Sequence, residues 1–187
     1  MFKSDYFKSG NVIPMPVPSS YNDITQKREI RDYVGWVWYD RQFFMPQTWK
    51  TGLRILLRFG SVHYNAVVFV NGINVVNHTG GHLPFEADVT SALNFDKENL
   101  LTVAVNNTLT SHTVPQGSVS YKKDTKLWPK NFYEVTVPFD FFNYAGIHRS
   151  VQLYAVPKTY INDITVTTDI KGSDGLVNYT VQLKGDS

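Results

Sequence analysis

Hydrophobic and aromatic residues fall in short runs along this chain, and glycine, proline or asparagine separates one run from the next. No window keeps the 3.6-residue period of an amphipathic helix, so the pattern predicts strands. The Asn71-Gly72 dipeptide tolerates positive φ and predicts a two-residue hairpin turn between two of them. The predicted strands are Gly35–Phe44, Leu53–Phe59, Ala66–Val70, Ile73–Asn77, Leu100–Asn106, Tyr133–Val137, Arg149–Val156, Tyr160–Thr168 and Leu176–Leu183.

Many strands without alternating helices favour an all-β fold, an antiparallel sandwich or jelly roll. We expect a domain boundary near Pro157, with one domain over residues 1–157. Residues 158–187 hold only two or three predicted strands, fewer than the roughly seven of an immunoglobulin-like sandwich, so the second domain is expected to be incomplete. Two long loops are expected, at Gly80–Glu86 and Thr108–Lys130, and the second is long enough to be functional or mobile.

Composition narrows the function classes. Of the 187 residues, 42% are hydrophobic and 18% are charged, which is enough apolar surface for a core. The net charge is +2 and the basic residues are scattered, so nucleic acid is not an expected partner. Absence of cysteine excludes disulfides and thiolate chemistry, and no apolar stretch approaches the roughly 18 residues of a membrane span.

The sequence signals for a catalytic or metal site are weak. Glycoside hydrolysis usually needs two carboxylates, about 5 to 5.5 Å apart in retaining enzymes. Glu86 and Asp88 could share a strand face, although solvated acids at a loop-to-strand transition are the simpler interpretation. His78 and His82 have helical spacing, but Gly80-Gly81 between them favours a loop, so no metal site is predicted. Nucleotide-binding and nucleophile motifs are absent, and no cofactor is implied.

The aromatic residues offer possible sugar contacts. Trp36 and Trp38 lie two residues apart, so they share one strand face, most simply a core face. Trp128 lies in the long predicted loop and is the better candidate for a ligand contact. The segment from Phe139 to Tyr154 mixes acid, amide and basic groups with aromatic rings just before a strand, a composition typical of functional loops.

Several blocks together carry a family resemblance. The segment DFFNYAGIHRSV (Asp140 to Val151) closely resembles the N-terminal part of the β-glucuronidases of glycoside hydrolase family two. The other matching blocks are MPVPSSYND (Met15 to Asp23), VGWVWYDR (Val34 to Arg41), VFVNG (Val68 to Gly72), GGHLPFEADVT (Gly80 to Thr90) and VNNTLT (Val105 to Thr110).

The resemblance implies a jelly-roll sugar-binding domain up to about Pro157, followed by the first strands of an immunoglobulin-like domain. In the family a (β/α)₈ barrel follows and holds both catalytic glutamates, one preceded by Asn. This chain contains no Asn-Glu dipeptide, so no catalytic residue is expected in it. The family also has a strand before the MPVPSS block, where this chain has only MFKSDYFKSGNVI, so the first strand is expected to be missing. His82 stands where the family commonly has Tyr.

The resemblance assigns possible functional roles to a few positions of this sequence. Asp140 matches the family residue that touches the sugar, and structurally it could instead cap its own loop. Sequons at Asn77, Asn106 and Asn178 are candidate glycosylation sites, and Asn106 matches the sequon of the animal enzymes. The resemblance further implies a glucuronide ligand, homo-oligomers such as tetramers, and a lysosomal or secreted location, although the N-terminus lacks the apolar core of a signal peptide.

Two interpretations of function remain at this point. The first is the non-catalytic N-terminal part of an enzyme that cleaves β-D-glucuronides in glycosaminoglycans and conjugates by a retaining mechanism. The second is a stand-alone β-sandwich that binds carbohydrate or a protein partner without hydrolase activity.

Overall fold

The computed structural model describes residues 12–185. Eleven strands account for most of the regular structure in this part of the chain, and helical structure is limited to the four-residue helix α1 (Arg28–Arg31) and two 3₁₀ turns, Gln47–Trp49 and Thr90–Ala92. The strands are β1 (Trp36–Phe43), β2 (Leu53–Phe59), β3 (Asn65–Val70), β4 (Ile73–Thr79), β5 (Phe85–Asp88), β6 (Asn99–Asn106), β7 (Ser118–Tyr121), β8 (Tyr133–Thr136), β9 (Val151–Pro157), β10 (Tyr160–Lys171) and β11 (Asp174–Lys184).

Two antiparallel sheets form a sandwich. The first has the order β1-β6-β3-β4 and the second the order β5-β2-β9. Both sheets contribute to one buried cluster: Ile55, Leu57 and Phe59 come from β2, and Val68 and Val103 come from β3 and β6. A single core shared by two sheets defines a β-sandwich, which confirms the predicted all-β class.

Most strand predictions agree with the structure. Residues 53–59 form β2 as predicted, and Asn71 and Gly72 have φ of 52° and 80°, as a type I′ hairpin turn requires. The predictions of two long loops were partly wrong. Residues 85–88 pair with β2 as β5, and Ser118–Tyr121 forms β7 within the expected loop Thr108–Lys130. The expectation of a missing first strand concerns residues that lie mostly outside those described.

The assignment of Trp36 and Trp38 to the core was wrong. They do share one face of β1, but their side chains are 46% and 41% exposed. The alternate residues Val37 and Tyr39 pack against the buried cluster instead. Period-2 alternation shows which residues share a face but not which face is buried, and that choice depends on the partner sheet.

Strands β10 and β11 form a separate two-stranded hairpin with a strongly amphipathic character. Its register pairs Ile164 with Val181 and Val166 with Tyr179, so these side chains share one face. All four are exposed, between 41% and 73%. The hairpin therefore presents an apolar face that no other described strand covers.

Candidate functional site

The segment between β8 and β9, residues 137–150, is called the Asp140 loop below. Its first half is open to solvent, with Phe139, Asp140 and Phe142 exposed. Its second half is closed: Ala145 and Ile147 are 0% and 3% exposed. The loop is therefore anchored at one end and displays Asp140 at the other.

Backbone hydrogen bonds hold the buried half on two sides. Ser19 and Tyr21 donate their N–H groups to the carbonyls of Ile147 and Ala145 at 3.0 and 3.2 Å, in a strand-like pattern. On the other side the N–H of His63 donates to the Gly146 carbonyl at 3.0 Å. The segment 145–147 thus runs between two neighbours and has no free edge along which to shift.

Asn143 is fixed by two side chains from distant parts of the sequence. The hydroxyl of Tyr64 donates to Asn143 Oδ1, and Nδ2 of Asn22 donates to the Asn143 carbonyl. The same Asn22 amide accepts the N–H of Ala145 at 3.1 Å through Oδ1. Burial raises the pKa of Tyr64 above its usual range, so the phenol stays protonated as the donor.

His63 lies fully buried under the loop and is neutral. Its Nδ1–H donates to the carbonyl of Tyr144, and its Nε2 accepts the N–H of His82 at 3.2 Å. Burial, and to a lesser degree the charge on His82, lowers the pKa of His63 to about 3. The neutral tautomer with a proton on Nδ1 satisfies both hydrogen bonds, which fixes its ring orientation.

His82 and His148 complete a cluster of rings around His63. Their ring centroids lie 4.3 and 5.4 Å from that of His63, and the ring of Tyr144 lies 4.5 Å from that of His148. Partial burial lowers the pKa of both histidines, and the neighbouring Arg149 guanidinium adds to the effect. The lowered pKa values favour uncharged rings at neutral pH, and these rings pack against one another beneath the Asp140 loop.

Asp140 itself is exposed, and its carboxylate makes no hydrogen bond or ion pair with any residue between 12 and 185. An ionised carboxylate can accept hydrogen bonds from the hydroxyls of a sugar. The anchored loop limits the conformational entropy that such a contact would cost. The structure is compatible with the predicted ligand contact, and the role of Asp140 stays a prediction.

The candidate acid pair has a structural role in this chain. Glu86 and Asp88 share the outer face of β5, where Arg58 pairs with Glu86 at 3.2 Å and Arg54 pairs with Asp88 at 2.8 Å. The hydroxyl of Tyr154 also donates to Glu86 at 2.7 Å. These partly exposed ion pairs link β5 to β2 and β9, as expected for solvated acids on a sheet.

The two histidines with helical spacing face different partners. His78 stacks on Phe85 with ring centroids 4.2 Å apart, whereas His82 lies against His63. Across residues 12–185, no group of three or more histidine, cysteine or acidic side chains is placed to hold a metal ion. Nor does any helix in that range have the length and hydrophobicity needed to cross a membrane.

The three sequons lie in different environments. Asn77 is exposed in the edge strand β4, and Asn178 is exposed in β11. Asn106 is half-buried at the end of β6, where its Oδ1 accepts the N–H of Thr108 at 2.9 Å. All three remain predicted sites, with Asn77 and Asn178 the more accessible.

Sequence reasoning missed the residues that support the loop. Asn22, His63 and Tyr64 lie in no catalytic or binding motif, and their contacts with residues 143–146 join positions far apart in the chain. The only sequence signal was that Asn22 lies in one matched block and Asn143 in another. Their proximity needed the tertiary structure.

Comparison with known proteins defines the class of this sandwich. The profile of the family "Glycosyl hydrolases family 2, sugar binding domain" matches residues 4–157. This match covers most of the chain, which therefore belongs to that family of carbohydrate-binding β-sandwiches.

Individual relatives agree with the family. The chain is 53% identical over 182 residues to the β-glucuronidase of Rattus norvegicus, and the match covers 95% of this chain and 28% of the relative. A solved β-D-glucuronidase of Dictyoglomus thermophilum superposes with a TM-score of 0.84 at 43% identity, over 95% of this chain and 30% of the other. A Ruminococcus gnavus β-glucuronidase in complex with D-glucuronic acid superposes with a TM-score of 0.79 at 35% identity, over 92% and 29%. The chain thus spans somewhat less than a third of the length of these relatives.

Proposed function

We propose that this chain is the N-terminal, non-catalytic sugar-binding part of a β-glucuronidase, an enzyme that cleaves β-D-glucuronides. Family membership and the similarity to the rat and bacterial enzymes support the proposal. The solved Ruminococcus gnavus relative is in complex with D-glucuronic acid, which supports a uronic acid as the sugar bound. Retention of configuration would follow from two carboxylates about 5 to 5.5 Å apart in a separate barrel domain.

The observation that carries the proposal for this chain is the anchored Asp140 loop. Asn22 and Tyr64 fix Asn143, three residues from an exposed carboxylate. In the proposed enzyme Asp140 accepts hydrogen bonds from the glucuronide at the rim of the barrel pocket. Glu86 and Asp88 are engaged with arginines, so the proposal gives them no part in bond cleavage.

Further features of the proposed enzyme come from its resemblance to the family. The boundary between sugar-binding and immunoglobulin-like domains lies near Pro157. The enzyme forms homo-oligomers, with a tetramer as the expected state, and works in the lysosome or outside the cell. Asn77, Asn106 and Asn178 are glycosylated there.

A chimera tests the proposal. This chain replaces the matched 182 residues of the rat enzyme, and hydrolysis of aryl β-glucuronide, β-glucoside and β-galactoside is measured for the chimera and for the chain alone. We expect the chimera to cleave only the glucuronide at a substantial rate. The chain alone should show no turnover, because the positioned acid and nucleophile are absent. Turnover by the chain alone, or a folded chimera that prefers the glucoside, would contradict the proposal.

A further inference from the structure

A lysine-rich loop lies at the tip of the β7–β8 hairpin. Residues 122–132, called the Lys loop below, contain four lysines and one acid, in the order KKDTKLWPKNF. Another short basic run, from Lys27 to Arg31, is partly neutralised because Arg28 and Arg31 pair with Asp32. The net charge of the chain is only +2. The Lys loop is therefore a local concentration of positive charge on a nearly neutral protein.

Three of the four lysines are available to a ligand. Lys122 pairs with Glu134 at 2.6 Å and is neutralised. The carboxylate of Asp124 accepts the backbone N–H of Lys126 at 2.9 Å, so it is engaged in the turn. Lys123, Lys126 and Lys130 are exposed, and within residues 12–185 no carboxylate lies within ion-pair distance of them.

The backbone of the Lys loop is ordered by its own turns and rings. The Asp124 carbonyl accepts the N–H of Trp128 at 3.0 Å, and the Pro129 carbonyl accepts the N–H of Phe132 at 3.0 Å. The indole of Trp128 stacks on Phe132, with ring centroids 4.6 Å apart and an interplanar angle of 18°. Ordering before binding reduces the entropy that a ligand contact must offset.

The Lys loop also has a defined position relative to the Asp140 loop. The hairpin has four paired positions, from Ser118 with Thr136 to Tyr121 with Tyr133, so its tip lies about 13 Å from its base. The base continues directly into the Asp140 loop, and Asp140 lies four residues after Thr136. The hydroxyl of Tyr133 donates to the Asp32 carbonyl at 2.5 Å and ties the hairpin to the end of α1.

We propose that the Lys loop binds an acidic polysaccharide at a second site, outside the pocket to which Asp140 contributes. Lys123, Lys126 and Lys130 bind sulfate or carboxylate groups, and the exposed part of the Trp128 ring lies against a pyranose ring. The choice of a sugar polymer over other polyanions rests on the proposed function. Nucleic acid is disfavoured because the basic residues form no stripe that could follow a phosphate backbone.

Binding to chondroitin sulfate tests the proposal with the chain of 187 residues itself. Calorimetric titrations at low salt compare the unaltered chain with the triple variant K123Q/K126Q/K130Q. The matched control K50Q/K97Q/K171Q removes three exposed lysines elsewhere and produces the same change in net charge. We expect about a tenfold loss of affinity in the first variant, which is ~1.4 kcal/mol, and less than a twofold loss in the control. Equal losses in the two variants would overturn the proposal.

Substitutions at Trp128 distinguish recognition of the sugar ring from simple attraction between opposite charges. Trp128→Ala should weaken binding of chondroitin sulfate about threefold or more, and Trp128→Phe should restore most of the affinity because it keeps an aromatic face. Thermal unfolding of each variant checks that the fold is retained. Duplex DNA bound as tightly as chondroitin sulfate, or an unchanged affinity in a folded Trp128→Ala, would refute a polysaccharide site.

The outcome is distinguishable from a failure of the proposed enzyme function. In the chimera with the rat enzyme, K123Q/K126Q/K130Q should leave the hydrolysis of a small aryl β-glucuronide unchanged, because that substrate does not reach the Lys loop. A chimera inactive before the lysines are changed would reject the enzyme assignment alone. Loss of aryl glucuronide hydrolysis on changing the lysines would reject a second site outside the pocket.

Discussion

The side-chain amide of Asn22 accepts a hydrogen bond from the backbone N–H of Ala145 at 3.1 Å, across 123 positions of sequence. The other end of the same amide donates to the Asn143 carbonyl. Asn22 thereby takes the place of a backbone segment beside the Asp140 loop. Because one side-chain amide satisfies both a donor and an acceptor of this segment, it fixes the position and the orientation of the backbone at Asn143 and Ala145.

Asn22→Ala should lower the free energy of unfolding by about 1–3 kcal/mol, because the buried N–H of Ala145 loses its acceptor. Urea unfolding followed by fluorescence measures the change. Gln116→Ala is the control, since Gln116 is exposed, and it should change stability by less than ~0.5 kcal/mol. A similar small effect for Asn22→Ala would show that the loop does not depend on this anchor.

Gly81 packs tightly against His63 and Tyr64, which support the same loop. A Cβ atom at Gly81 would lie 2.7 Å from Tyr64 Cδ1 and 2.7 Å from the Val114 carbonyl oxygen. Gly81→Ala should therefore destabilise the fold by about 1–3 kcal/mol through overpacking. At Gly175 an added Cβ would meet nothing within 4 Å, so Gly175→Ala should be nearly neutral. Equal melting temperatures for the two variants would contradict the packing described.

The buried His63 makes stability depend on pH. Its pKa is lowered to about 3 in the folded chain, against ~6.5 when unfolded, so the unfolded state binds more protons between these values. Stability should therefore be complete above pH ~6.5 and fall as the pH decreases, with His63 accounting for ~2 kcal/mol between pH 7.5 and 5.

Urea unfolding at pH 5, 6 and 7.5 measures this dependence. His63→Asn retains an N–H that can donate to the Tyr144 carbonyl but cannot titrate, so its stability should change less with pH. His112→Asn alters an exposed histidine and should keep the full dependence. The same pH dependence in all three proteins would show that His63 is not buried in the neutral form.

The apolar face of the β10–β11 hairpin should make the chain associate. Val166 and Tyr179 are paired, and they are 56% and 73% exposed. Contiguous apolar surface of this kind promotes self-association. The double variant V166T/Y179T should move the chain toward monomer in light scattering, while T165S/T180S, on the opposite face, should not. A monodisperse monomer without any substitution would contradict this prediction.

Local sequence predicted the strands better than the site. β2 and the Asn71-Gly72 hairpin depend on apolar runs and turn chemistry that the sequence displays directly. β5 was recognised only as a loop-to-strand transition at Glu86 and Asp88, because Gly-Gly and Pro precede only four strand residues. β7 was missed because it lies within a Pro- and Lys-rich segment. The outward face of Trp36 depends on the opposite sheet, and the support from His63 and Tyr64 depends on long-range contacts. Neither the orientation of Trp36 nor the support from His63 and Tyr64 can be recognised from the neighbouring sequence.

The most direct test of the account is the effect of Asp140→Ala on kcat/KM and Tm in the chimera with the rat enzyme. Each hydrogen bond that the charged carboxylate accepts from a sugar hydroxyl contributes about 1.5–3 kcal/mol, so kcat/KM for an aryl β-glucuronide should fall roughly tenfold or more. Asp96→Ala removes another exposed carboxylate and should leave kcat/KM unchanged. The Tm of the Asp140→Ala chimera should be nearly unchanged. A Tm lower by several degrees with normal kcat/KM would show that Asp140 holds its own loop and contacts no substrate.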